Sequence, residues 1–261
     1  WLATPFNRFL EMVDPPAEVA DARRCILEEL ISAPKLCTLE GYVFEGRATV
    51  YGTVDSVKLE STSFDRYQYP SKLPAEVVDR MREAAEKLLV HVGFDGGAFN
   101  VEFFYDEAED RIRLLEINPR ISESHGPLFE LVDGSSHHKV AVRLALGHRP
   151  QFPHREGPYE LAAKCFVRAF EDGVVRRVPS REEIAALERE VPDLRVVVNV
   201  EAGQRLAELR GQDSYSYELA LLWIGADTEE ELLRRRAYCE QALRFEVGPP
   251  DDRALASAAS P

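Results

Sequence analysis

The chain holds no run of about 18 apolar residues, the least that crosses a bilayer as a helix, so its 261 residues predict no transmembrane helix. Basic residues are short relative to acidic ones: 32 Lys and Arg stand against 46 Asp and Glu, for a net charge of −14. Nucleic-acid phosphates demand basic surface, so a nucleic-acid partner is disfavoured. Cysteine is sparse. Cys25, Cys37, Cys165 and Cys239 lie far apart without Cys-x-x-Cys spacing, which argues against a zinc site and fits reduced thiols in the cytoplasm. No basic-then-apolar leader follows Trp1, no Gly-x-Ser-x-Gly elbow supports a serine hydrolase, and no internal repeat is found. A hydrophobic content of 45% remains, enough for a sizeable core in one or two domains.

Two strands are predicted from Cys37 to Phe44 and from Ala48 to Val57, joined by the hairpin signal Glu45-Gly46-Arg47. The apolar run before them, Arg24 to Ile31, is too short to settle between strand and helix. Residues 58–74 read as a polar loop whose Lys58, Arg66 and Lys72 are either solvated or aimed at a phosphate or carboxylate. A helix is predicted from Ala75 to Val92, with Val77, Met81, Ala84, Ala85, Leu88 and Val92 on one stripe and Gly93 as its stop. Ser135 to Leu146 reads as a second helix. After the linker Arg149-Pro150-Gln151-Phe152-Pro153, residues 155–247 read as a separate α+β unit. Its strands are expected from Leu161 to Phe170, Leu194 to Val200 and Tyr217 to Ile224, and Ser180/Glu183 and Thr228/Glu231 carry capping-box spacing.

The chemistry concentrates in Phe99 to Tyr105 and Ile112 to Asn118, two short apolar runs around the acidic loop Asp106-Glu107-Ala108-Glu109-Asp110. They read as an antiparallel hairpin. Alternation places Ile112, Leu114, Glu116 and Asn118 on one face. With the loop centred on Ala108, Glu102 opposes Leu114 and is diagonal to Glu116, the two Cα atoms roughly 7–8 Å apart. Carboxylates and an amide oxygen converging on a buried face are costly unless a cation neutralises them, and a hard ion such as Mg2+ suits oxygen donors. Pro119 turns the chain, so Arg120 emerges beside these ligands, where a guanidinium can grip phosphate or carboxylate oxygens. His125 stands near enough to touch a substrate, although a loop histidine is ordinarily solvated, and His137-His138 reads as helix-start surface.

The stretch Phe99 to Arg120, ending Leu-Leu-Glu-Ile-Asn-Pro-Arg, resembles the metal-binding hairpin of ATP-grasp enzymes. The resemblance runs from about Ala22 to Pro150, with an extension to Val247. It implies an α+β chain: an ATP-grasp fold of antiparallel sheets with packed helices over 22–150 and a smaller α+β carboxy-terminal domain over 155–247 similar to that of biotin carboxylase. The breaker cluster Asp14-Pro15-Pro16 makes 1–21 an irregular lead-in, and the Gly-Pro-Pro-Asp-Asp and Ala-Ser-rich residues over 248–261 read as a disordered tail. The resemblance also implies that Glu102, Glu116 and Asn118 hold Mg2+ (or Mn2+) on the ATP phosphates and that Arg120 contacts the reacting phosphoryl group. Glu28-Glu29-Leu30-Ile31 would read the adenine edge. The family activates a carboxylate as an acyl phosphate and lets an amine or similar nucleophile displace phosphate. Small-molecule carboxylate and amine substrates follow, with no membrane partner; a homodimer stays open.

Three departures qualify the resemblance. The family's phosphate-binding lysine and glycine-rich lid have no counterpart before Arg23, so the expectation is a fragment that binds nucleotide weakly and does not turn over alone. The His-Gln-Lys of biotin carboxylases, whose lysine helps hold bicarbonate, is matched here by Tyr67-Gln68-Tyr69. The alternatives are a biotin-dependent carboxylase subunit, which the missing His-Gln-Lys lysine disfavours, and a non-catalytic nucleotide-binding module, which the missing phosphate-binding lysine and lid sustain. Asp213 to Tyr217 is expected where the carboxy-terminal domain returns toward the site.

Overall fold

A computed structural model describes residues 31, 35–59, 63–209 and 216–249. The chain divides into Trp1–Ser32 and Ala33–Pro261, and the described fold belongs almost entirely to the second unit. Of the segment expected to read adenine, Glu28, Glu29 and Leu30 lie outside the described residues and Ile31 is half-buried. Residues 250–261, Asp213 to Tyr215 and Cys25 also lie outside them.

Strands β1 (Lys35–Phe44) and β2 (Arg47–Lys58) form the expected hairpin. Glu45 and Gly46 turn it with φ of 53° and 70°, the two left-handed residues that let a two-residue turn match strand twist. Then follow β3 (Phe64–Tyr69), α1 (Ala75–His91), β4 (Gly97–Asp106), β5 (Arg111–Asn118), α2 (Gly126–Asp133) and α3 (His138–Ala145). The remainder is β6 (Leu161–Ala169), β7 (Val174–Arg177), α4 (Arg181–Glu190), β8 (Arg195–Val198), β9 (Tyr217–Ala226), α5 (Glu229–Ala242) and β10 (Glu246–Gly248). Eight strands join one antiparallel sheet in the order β5-β4-β1-β2-β3-β6-β9-β8.

Alternation along β1 sends Cys37, Leu39 and Val43 into a core under α1, whose Val77, Met81, Ala85 and Leu89 recur every four residues. Leu89 rather than Leu88 completes that stripe, and Val92, past the helix end, is 65% exposed. On the opposite face, Leu128, Phe129 and Val132 of α2 pack on Val54, Tyr69, Ala162 and Trp223. A further core forms where α4 and α5 cover β6 and β9, with Cys165, Leu187, Leu222, Ile224 and Leu232 buried. Ser180 caps α4 with both halves of a capping box, and Thr228 Oγ1 accepts from the Glu231 backbone at α5.

Several expectations are corrected. Residues 64–69 are a strand rather than loop, and its pairing with β6 carries one sheet across the linker at 149–153. Arg66 is not solvated: it pairs with Asp65 and with Glu229, which also takes Lys72. Only His138–Ala145 of the second expected helix is helical, and α2 precedes it, ended by Gly134 at φ 76°. Gly248 belongs to β10, paired with β7, rather than to a tail. Cys37, Cys165 and Cys239 are buried free thiols. Among the described residues, no helix is long and apolar enough to cross a membrane.

Candidate active site

The β4–β5 hairpin has a different register from the expected one. Asn100 faces Asn118, Val101 faces Ile117 and Glu102 faces Glu116 directly, whereas Phe103 faces Leu114. Leu115 is thus an extra, unpaired residue, a β-bulge that breaks the alternation. Ile112 and Ile117 accordingly both pack toward the α1 core, so Ile112, Leu114, Glu116 and Asn118 do not share a face. The bulge brings the two carboxylates directly opposite each other, a spacing of about 5 Å between side-chain roots. Their setting is also less buried than expected: Glu102 is half-buried and Glu116 exposed. Burial first, then the facing Glu116, pushes the Glu102 carboxyl above its ordinary range, while His125, Arg120 and Lys58 pull it down.

Behind this pair lies a buried polar cluster. Glu40 of β1 is fully buried; its Oε1 accepts from Asn100 Nδ2 at 2.8 Å and lies 2.8 Å from His125 Nδ1. Asn118 Nδ2 donates to Asn100 Oδ1 at 3.3 Å, and Arg120 Nη2 donates to Asn118 Oδ1 at 3.2 Å. His125 is 3% exposed and His137 0%, so neither is the solvated residue expected, whereas His138 is exposed. His137 Nδ1 lies 3.8 Å from Glu40 Oε2, and burial pushes its pKa down to about 4 against the pull of Glu40.

Two cavities adjoin the cluster, both lined by Ser124. The first, about 260 Å³, is walled by Asn100, Glu102, Arg120, Ser122, Tyr67 and His125. The second, about 580 Å³, holds Lys164, Arg195, Asn199, His138 and Trp223. Directly paired residues Ser56, Tyr67, Lys164, Trp223 and Arg195 form one row across β2, β3, β6, β9 and β8. Lys164 Nζ donates to Ser124 Oγ at 3.0 Å and lies 5.1–5.8 Å from the Phe166, Trp223 and Tyr67 ring centres. Burial lowers its pKa. Arg195 stacks 5.0 Å from the Trp223 ring centre and has no ion-pair partner among the described residues.

The structure therefore gathers Glu102, Glu116, Asn118 and Arg120, and adds Glu40, His125, His137, Lys164 and Arg195. A glutamate inside the apolar strand Leu39-Glu40-Gly41-Tyr42 was the available signal, because a buried acid is the informative exception. Among the described residues no three His, Cys, Asp or Glu side chains gather to hold a metal by themselves. Two facing carboxylates and an amide oxygen still fit Mg2+, which keeps open positions for substrate phosphates.

The family model of the carbamoyl-phosphate synthase L chain, ATP binding domain, matches residues 68–151, which include the hairpin. The L-amino acid ligase from Bacillus licheniformis superposes with a TM-score of 0.66 at 15% identity, over 83% of this chain and 52% of that one. The fold is of the ATP-grasp kind. The biotin carboxylase domain of Hydrogenobacter thermophilus 2-oxoglutarate carboxylase, a dimer with MgADP, ADP and bicarbonate, superposes at 0.58 with 20% identity, over 84% and 48% of the two chains. At these identities the likeness is one of fold. In sequence, Biotin carboxylase 1 of Bacillus subtilis (strain 168) is 34% identical over 113 residues, 43% of this chain and 24% of that protein. The carbamoyl phosphate synthase large chain of Thermotoga maritima is 36% identical over 103 residues, 38% of this chain and 9% of that protein. The chain thus spans about half of these solved structures and a minor part of the curated relatives.

Proposed function

We propose that this chain supplies the metal- and phosphate-handling face of an ATP-dependent ligase that activates a carboxylate as an acyl phosphate for an amine or similar nucleophile. The observation that carries this reading is the direct pairing of Glu102 with Glu116 beside Asn118 and Arg120. Glu102, Glu116 and Asn118 would hold Mg2+ or Mn2+ on the triphosphate. When bound, such an ion offsets phosphate charge and polarises the P–O bonds. Arg120 would exchange its bond to Asn118 for a forked grip on the transferring phosphoryl group. Lys164 and Arg195 would draw the anionic substrate into the second cavity. A carboxylate oxygen attacks the γ-phosphorus as the bond to ADP breaks; the amine then attacks the acyl carbon and phosphate leaves. Glu28 to Ile31 remain the proposed adenine-reading segment, and a homodimer the proposed assembly.

Similarity to an L-amino acid ligase, a biotin carboxylase and a carbamoyl phosphate synthase supports the reading. In the full-length protein, hydroxylamine added with MgATP and candidate carboxylates should trap a hydroxamate as ADP is released in step. Absence of ADP release with every carboxylate would point to a nucleotide-binding module instead. A biotin-dependent carboxylase is the second reading, favoured by Lys164, which places an ammonium beside Tyr67 from the neighbouring strand. It requires ADP release only when bicarbonate and biotin are both present.

A further inference from the structure

The buried carboxylate of Glu40 lies outside the proposed phosphate-handling set, yet it sits behind it in the same row of the sheet. Glu40 is paired directly with Asn100 across β1 and β4, and Asn100 directly with Asn118 across β4 and β5. An amide has two unlike ends, one accepting and one donating, and a flip exchanges them. A carboxylate oxygen offers only lone pairs, so Glu40 Oε1 takes the Nδ2 end of Asn100 at 2.8 Å. Asn100 Oδ1 is thereby turned toward β5, where it accepts Asn118 Nδ2 at 3.3 Å. Asn118 Oδ1 is in turn left pointing out, where Arg120 Nη2 finds it at 3.2 Å. Flipping either amide would set oxygen against oxygen at one joint. His125 Nδ1, 2.8 Å from the same Glu40 oxygen, braces the start of the chain and ties it to the segment that opens α2.

We infer that Glu40 is a positioning residue: through Asn100 it fixes the amide of Asn118 with its oxygen, not its nitrogen, facing the metal position. This rests on the metal reading above and adds a residue to it that touches neither metal nor nucleotide. A buried acid is costly without such a use. Partners one shell behind a metal ligand typically govern affinity by about 10- to 100-fold, and that is the size of effect expected here.

The experiment is a double-mutant cycle on Mn2+ binding in the presence of ATP, with free Mn2+ counted by electron paramagnetic resonance and melting temperature read alongside. E40L should weaken Mn2+–ATP binding by about 10- to 100-fold. E40Q, which keeps an acceptor oxygen for Asn100 and His125, should bind near the wild-type level. N118D supplies two oxygens and has no wrong end to present, so E40L should cost little in the N118D background. Equal losses from E40L in both backgrounds, or no loss in a folded E40L chain, would overturn the inference. Should E40L not fold, N100S interrupts the same relay one residue further on and carries the same expectations. E116Q separates the two levels of the account. If E116Q abolishes Mn2+–ATP binding while E40L and N100S leave it intact, only the relay fails. If neither E116Q nor N118A alters it, the metal reading fails with it.

Discussion

Replacing Glu102 with Gln should stabilise the fold in divalent-free buffer, because the register sets the Glu102 and Glu116 carboxylates face to face. The bulge at Leu115 makes Glu102 and Glu116 direct cross-strand neighbours. Like charges so placed destabilise by roughly 0.2–1 kcal/mol relative to neutral pairs. Glu102 is half-buried, with its carboxyl held above the ordinary range by burial and by Glu116, so the upper half of that interval applies. In a domain of this size about 1 kcal/mol moves Tm by roughly 2–4 °C. E102Q should therefore melt roughly 1–4 °C above the wild type in low salt without divalent ions. The Coulomb part of the gain should shrink in high salt, where exposed Glu116 is screened. Adding MgATP should reverse the ranking, since only the wild type gains binding energy in its native state. Melting followed by intrinsic fluorescence measures both arms. An E102Q chain that melts lower without MgATP would show that the pair is not repulsive, and the reasoning from register would fail.

In the full-length protein, Arg120→Lys should leave MgATP affinity nearly unchanged and cut ADP release by roughly a hundredfold, since an ammonium keeps the charge and loses the fork; calorimetry and a coupled ADP assay read the two quantities. His137, with a folded pKa near 4 against an ordinary 6.5, is kept neutral by burial. The unfolded chain then binds more protons between those values, so stability falls as pH drops through that window, by up to about 3 kcal/mol. H137Q should lose less melting temperature than the wild type between pH 6.5 and 4, and parallel curves would contradict it. Lys164 has its pKa lowered by burial, so its charged form is a cost at neutral pH that fades as pH rises through the folded value. K164M should therefore melt higher than wild type at pH 7, with the gap closing toward alkaline pH.

The hairpin was legible because Glu116, Asn118 and Arg120 close an apolar run before a proline, a pattern that local alternation alone explains poorly. Its register was not. The unpaired residue is one of two adjacent leucines, Leu114 and Leu115, and nothing in their chemistry marks which is bulged. Strand β3 hid for another reason. Asp65 and Arg66 look solvated until Arg236 and Glu229 of α5 arrive to pair with them, the latter 163 residues along the chain. Continuity of the sheet across the linker was hidden likewise, because it rests on the pairing of β3 with β6. His125 follows the same logic: its ring is buried where Glu40 meets it at 2.8 Å. Capping, by contrast, is local, and Ser180 and Thr228 behave as their spacing predicts.

The central claim is that Glu102, Glu116 and Asn118 together form one metal–phosphate site. Calorimetric titration of MgATP into the wild-type, E116Q and N118A chains tests it most directly, with metal-free ATP as the reference. In the complete protein both substitutions should abolish the Mg2+-dependent part of the affinity while the fold persists. Unchanged MgATP affinity in both folded variants would contradict it.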